Sequence, residues 1–199
     1  MAQKIIKPKA LQKGSKIGVV SPARYAPEDW LSKGKAELEA AGFQVVIHPQ
    51  NHLNDYQLAG SDVQRAAAIM DYFEDASIDA ILCARGGIGS YRVVPHLDYE
   101  LIRENPKIFC GFSDITTLIN TIHTRTGLVT FHGPMLLSFF KNNDPANITH
   151  FTNYFSGGET AAPIHYPTAQ VFQEGVGTGR LVGGNITLLQ NLIGTKDDF

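Results

Sequence analysis

The sequence predicts an α/β fold: a mostly parallel sheet with helices on both faces, followed by the beginning of a smaller, β-rich domain. Two observations predict it. Short apolar runs of strand length alternate with amphipathic stretches of helical period from Lys16 to Phe131, and that alternation calls for right-handed crossovers and a parallel sheet. After about Asn143 the pattern changes, with many Gly, Pro and Thr and short alternating stretches over residues 156 to 180. The expected division is therefore 1–155 for the α/β domain, 156–180 for a linker with short strands, and 181–199 for the start of an incomplete second domain.

Lys16 to Ser21 (KIGVVS) reads as the first strand, ending in Ser-Pro-Ala. Pro27 to Ala41 follows as a helix with Trp30, Gly34, Leu38 and Ala41 on one stripe, and Gly42 stands at its stop. Phe43 to Ile47 is a second strand, and residues 48 to 60 are polar and loop-like. Asp62 to Glu74 reads as a second helix, with Val63, Ala67, Met70 and Phe73 on its apolar face. Asp79 to Ala84 and Lys107 to Phe112 are buried third and fourth strands. Asp114 to Thr124 is a helix turning Ile115, Leu118, Ile119 and Ile122 inward, and Leu128 to Phe131 is a short fifth strand. Gly183-Gly184-Asn185 opens a further apolar helix, Ile186 to Ile193, and the ending at Phe199 reads as a cut, with a natural short chain as the alternative.

A chain of 199 residues with 43% apolar side chains can build one sizeable core. Seventeen basic against nineteen acidic residues leave a net charge of -2, which gives no attraction to nucleic acid or an anionic membrane and leaves a small molecule or peptide as the expected partner. Met1 to Gly14 has basic residues but no continuous apolar stretch, so no signal peptide is read there; no run is long enough to cross a bilayer, and the cytoplasm is the expected location. Cys83 and Cys110 sit in strand-like apolar runs and read as packing thiols, not a disulfide.

Ligands of parallel sheets gather beyond the carboxyl ends of the strands. Four loops leave those ends: Ser21-Pro22-Ala23, Arg85-Gly86-Gly87-Ile88-Gly89, Ser113-Asp114 and His132-Gly133-Pro134. The segment from Ile108 to Thr116 carries the most information. An apolar strand runs through Gly111 and Phe112 into Ser113 and then directly into a helix, the layout of a nucleophile elbow, in which the N–H after the serine faces the reacting carbonyl and the helix start favours an oxyanion. The Gly-x-Ser-x-Gly pattern is incomplete, because Ile115 occupies its last place, and a serine at a helix start also serves as an N-cap. Both readings stand at this level.

The glycines of Arg85-Gly86-Gly87-Ile88-Gly89 let backbone N–H groups approach a ligand, as a second oxyanion donor or as a plain tight turn. A dinucleotide fingerprint fails because Arg92 stands where its last glycine belongs. Of the seven histidines, His132 is the one at the presumed active end, although its neighbours Phe131, Gly133 and Pro134 suit a structural role better. No compact set of metal ligands is present, so a metal is not called for.

Taken together, Arg85-Gly86-Gly87-Ile88-Gly89 with Arg92, Gly111-Phe112-Ser113-Asp114-Ile115-Thr116, His132-Gly133-Pro134-Met135 and Gly179-Arg180-Leu181-Val182-Gly183-Gly184-Asn185 resemble the LD-carboxypeptidase family of serine peptidases, which includes the microcin C self-immunity enzymes. The resemblance implies a two-domain cytoplasmic hydrolase without a cofactor, a homodimer, that removes the terminal D-alanine of murein tetrapeptide. It implies Ser113 as nucleophile and the N–H groups of Asp114 and Gly87 as oxyanion donors; Arg85, from its charge and place, and Gly86 beside it are expected against the substrate. Ile88 departs from the tyrosine common in the family. The family's catalytic glutamate and histidine fall beyond the matched region, so this chain alone is expected to lack its general base. Alternatives are a non-catalytic peptide-binding module, a microcin-type amide hydrolase, and a different hydrolase using His132 as base.

Overall fold

The structure is a computed structural model and describes residues 4–141, 146–157 and 168–198. Five strands, β1 (Lys16–Val20), β2 (Gln44–Ile47), β3 (Ala80–Cys83), β4 (Ile108–Gly111) and β5 (Phe131–His132), form one all-parallel sheet in the order β2-β1-β3-β4-β5. Between and after them run α1 (Glu28–Ala40), α2 (Asp62–Glu74), α3 (Tyr99–Glu104), α4 (Thr116–Thr126), α5 (Ala146–Phe155) and the short α6 (Ile186–Leu189). The expected α/β architecture is the one observed.

Strand side chains alternate between two cores. Ile81, Cys83 and Phe109 point into one, packed under α2, α3 and α4 with Ile69, Phe73, Ile102 and Leu118. Ile17, Val19, Leu82 and Cys110 point into the other, beneath α1 and α5 with Leu31, Leu38, Phe151 and Phe155. A sheet buried on both faces needs near-continuous apolar strands, which is why AILC and IFCG carry no charge. Helix α2 begins at a capping box in which Ser61 and Gln64 satisfy each other's backbone N–H groups.

The spans of α1, α2 and α4 were legible, as was the inward face of α4; the buried faces of α1 and α2 were less so. In α1 the inward residues are Leu31, Gly34 and Leu38, while Trp30 is only half-buried and Ala41 lies past the end. In α2 the buried residues are Arg65, Ala66, Ala68, Ile69, Tyr72 and Phe73, whereas Val63 and Ala67 face solvent. One residue turns a helix by about 100°, so a stripe chosen one position away aims at a different neighbour. The fifth strand is also later and shorter than read: it holds Phe131 and His132, so His132 ends the strand instead of following it. Helix α3, capped by the Asp98 carboxylate on the N–H groups of Glu100 and Leu101, and helix α5 were not read from the sequence.

Residues 158–167 of the expected short-strand region lie outside the described residues, and residues 168–180 contain no strand. Further on, Asn185 caps α6 and its N–H donates to Thr116 Oγ1, Asn120 donates to the Gly183 carbonyl, and Arg125 pairs with Asp197 at 2.7 Å, so residues 183–198 are fastened to α4. Helix α6 spans Ile186–Leu189, and the remainder of the expected helix up to Ile193 is turns. Among the described residues no helix is long and apolar enough to cross a membrane.

Candidate active site

The turn after β4 is sharp. Phe112 is extended, Ser113 has φ +61°, residues 113–115 make one turn of 3-10 helix, and α4 starts at Thr116. An L-residue in the left-handed region is costly by about 1–2 kcal/mol, and such strain concentrates where a side chain must be presented to a ligand. Ser113 does not cap the helix: neither the 3-10 turn nor α4 has a side-chain cap bond. Its side chain is half-buried at the carboxyl edge of the sheet. Gly111 is needed for this geometry, since a Cβ there would lie 2.8 Å from Ile115 Cγ2.

The glycine turn after β3 packs directly on the elbow. A Cβ on Gly86 would stand 3.1 Å from Ser113 Cβ and 3.4 Å from the Asp114 nitrogen. Gly87 (φ +145°) is exposed beside it, and among the described residues no acceptor bonds the N–H of Gly87 or of Asp114. Two main-chain donors at the rim of one elbow can hold the oxygen of a tetrahedral intermediate.

The Asp114 carboxylate is buried and does a different job from its N–H. It accepts the Ser90 N–H at 2.9 Å, while Ser90 Oγ donates to the Asp114 carbonyl at 2.5 Å, which ties the elbow to the turn that follows β3. Sequence reasoning missed Arg65 altogether. Its guanidinium is fully buried and donates to the carbonyls of Pro22, Gly60 and Gly89 while pairing with Asp62. Burial works against that charge and Asp62 sustains it. One side chain thus fastens the loop after β1, the loop before α2 and the glycine turn. The signal that could have found it is an arginine on the apolar side of α2, next to Ala66 and four residues from Ile69.

Arg85 is partly buried, with its guanidinium 5.2 Å over the Trp30 ring, and its pKa is lowered by burial and then by the charge of Arg24. His132 is exposed and touches Phe112 edge-on with ring centroids 6.2 Å apart. Among the described residues no histidine bonds Ser113: His48 lies against Asp71, His52 against Glu28, and His123 Nδ1 against the Leu128 carbonyl. No group of His, Cys, Asp and Glu suited to a metal occurs among the described residues. A cavity of about 650 Å³ between α4, β5 and residues 180–184 is lined by His123, His132 and Arg180 but not by Ser113 or the glycine turn.

A parallel sheet with a left-handed serine turn at its carboxyl edge, packed on a glycine-rich turn, defines a protein of the α/β class with a candidate site where those turns meet. The chain belongs to the family described as the LD-carboxypeptidase N-terminal domain, which matches residues 17–133. It is 39% identical over 191 residues to the "Probable murein peptide carboxypeptidase" of Bacillus subtilis, covering 95% of this chain and 60% of that protein. Among solved structures, an MccF-like protein from Bacillus anthracis superposes with a TM-score of 0.83 at 31% identity, covering 96% of this chain and 65% of that one. The muramoyltetrapeptide carboxypeptidase from Oxalobacter formigenes superposes with a TM-score of 0.77 at 26% identity, covering 92% and 62%. The chain therefore spans about three fifths of the length of the curated relative named here.

Proposed function

We propose that this chain is the nucleophile-bearing part of a cytoplasmic, homodimeric serine LD-carboxypeptidase that releases the terminal D-alanine of murein tetrapeptide. The observation that carries the reading is the left-handed backbone of Ser113, held at φ +61° between β4 and α4. Ser113 Oγ adds to the scissile carbonyl carbon, the N–H groups of Asp114 and Gly87 hold the oxygen that becomes negative, and Arg85 and Gly86 border the substrate. Collapse of the intermediate breaks the C–N bond, the amine of D-alanine leaves with a proton, and water then hydrolyses the acyl-serine. The general base and its carboxylate partner come from outside these 199 residues. No cofactor enters this sequence of steps.

A microcin-type amide is the second reading, supported by the likeness to the MccF-like protein. In both, the bond broken is an amide and the nucleophile is the same. The test is mass-spectrometric detection of free D-alanine from tetrapeptide incubated with the protein at full family length. Wild type is expected to release it, and Ser113→Ala to lower the rate by at least about 10³-fold with the fold intact. Equal release by both would remove Ser113 from the mechanism. Binding without release by wild type would favour a non-catalytic module.

A further inference from the structure

The strand order β2-β1-β3-β4-β5 reverses direction between β1 and β3, and a crevice opens beyond the carboxyl ends of strands at such a point. The residues that meet there are not those of the elbow. Arg24, Tyr25 and Pro27 come from the connection after β1, Tyr56 and Gln57 from the loop after β2, and Arg85 from the end of β3, around a concavity of about 230 Å³. Two guanidinium groups share this space, and among the described residues no carboxylate pairs with either of them. Arg24 donates to Gln57 Oε1, yet its Nε is buried without a hydrogen-bond partner. Arg85 Nε reaches only the adjacent Gly86 carbonyl, at 3.2 Å, and its charge lies over Trp30. A buried donor on a cation without an acceptor is costly unless something fills it, and two like charges side by side call for an anion between them.

The position of the pair relative to the elbow identifies that anion. The stem of Arg24 lies against the glycine turn: a Cβ on Gly87 would be 2.6 Å from Arg24 Cγ. In a peptide cut at its last amide bond, the free carboxylate stands one nitrogen and one Cα beyond the scissile carbonyl, its carbon about 3–4 Å away. A carbonyl held by the Gly87 and Asp114 N–H groups therefore leaves the departing residue's carboxylate within reach of a side chain that packs on Gly87. We infer that Arg24 and Arg85 form the subsite that binds the free α-carboxylate of the residue released, and so restrict the enzyme to carboxyl-terminal residues. This rests on the peptidase reading above and adds to it the source of exopeptidase specificity. Planar guanidinium forks suit a carboxylate, and burial strengthens each charge-assisted bond.

The experiment compares, in the protein at full family length, a tetrapeptide ending in D-alanine with the same peptide ending in D-alaninamide, for wild type, Arg24→Gln and Arg24→Lys. The ratio of kcat/KM between the two peptides in one preparation does not depend on how much of that preparation is folded. Wild type is expected to favour the acid, Arg24→Gln to lower the acid-to-amide ratio of kcat/KM by about 10- to 100-fold, and Arg24→Lys to fall between. Equal losses on both peptides, or an unchanged ratio, would overturn the subsite. If wild type cleaves neither peptide, the peptidase reading falls separately. Calorimetric binding of the acid and the amide then decides the subsite: a preference for the acid that Arg24→Gln abolishes upholds it, and equal binding overturns it.

Discussion

Ser113 bears a Cβ in a region of backbone space that glycine enters freely and other residues avoid. If the turn is kept for chemistry and not for stability, relieving the strain should make the protein more stable and inactive. Ser113→Gly is expected to unfold at higher denaturant than Ser113→Ala by about 1 kcal/mol, both without turnover, in paired urea titrations followed by circular dichroism. A less stable glycine variant would mean that the turn is not under strain. Cys83 and Cys110 pose a different question at the same scale. Both are buried and free, on opposite faces of neighbouring strands, and burial raises both thiol pKa values. Neither should react with a thiol reagent at pH 8 until the chain unfolds. Because these thiols ionise near 8.5 only in the unfolded chain, they stabilise the fold fully below that value, and their contribution declines as pH rises above it. Denaturation midpoints measured between pH 7 and 10 in wild type and a Cys83→Ala variant read that decline.

Between residues and the whole lie the loops, and here two polar side chains outweigh the apolar pattern. Arg65 joins three carbonyls from three connections, and Asp114 joins the elbow to Ser90. Arg65→Met fills similar volume but leaves the Pro22, Gly60 and Gly89 carbonyls without a donor, and it is expected to destabilise the fold by about 3 kcal/mol in urea titrations. Asp114→Ala should cost about 1–3 kcal/mol and lower the rate on any substrate of the elbow, since the Ser90 N–H loses its acceptor and the two turns lose their tie. A variant at either position with unchanged stability would show that the loops are held by backbone packing alone. The helices repeat the lesson in apolar form. Their spans follow from caps and period, as at Ser61 and Gln64, but their rotation is fixed by what the sheet offers: Tyr72 of α2 covers Gly18, where a Cβ would lie 2.5 Å from the ring.

Across the molecule, protection should be uneven. Strands β1, β3 and β4 are buried on both faces, whereas residues 168–182 are exposed, with Phe172 at 91% and Val176 at 102% of full accessibility. Amide hydrogen exchange is therefore expected to be slowest at Val19, Leu82 and Cys110 and close to unprotected rates over 168–182 in this chain. Slow exchange over 168–182 would show that the segment is covered in solution.

The α/β class, the alternation of elements, the serine turn and the glycine turn were all legible in the sequence, because each follows from local chemistry: strand and helix periods, a helix start, and glycines where backbones approach. The left-handed state of Ser113, the aim of the α1 and α2 faces, the buried guanidinium of Arg65 and the meeting of Arg24 with Arg85 were not. Arg24 and Arg85 are brought together only because β1 and β3 lie side by side in the sheet, and contacts between residues so far apart in the chain have no period or motif to announce them. Local propensities wrote the elements, and the order of strands decided which of their loops share a crevice.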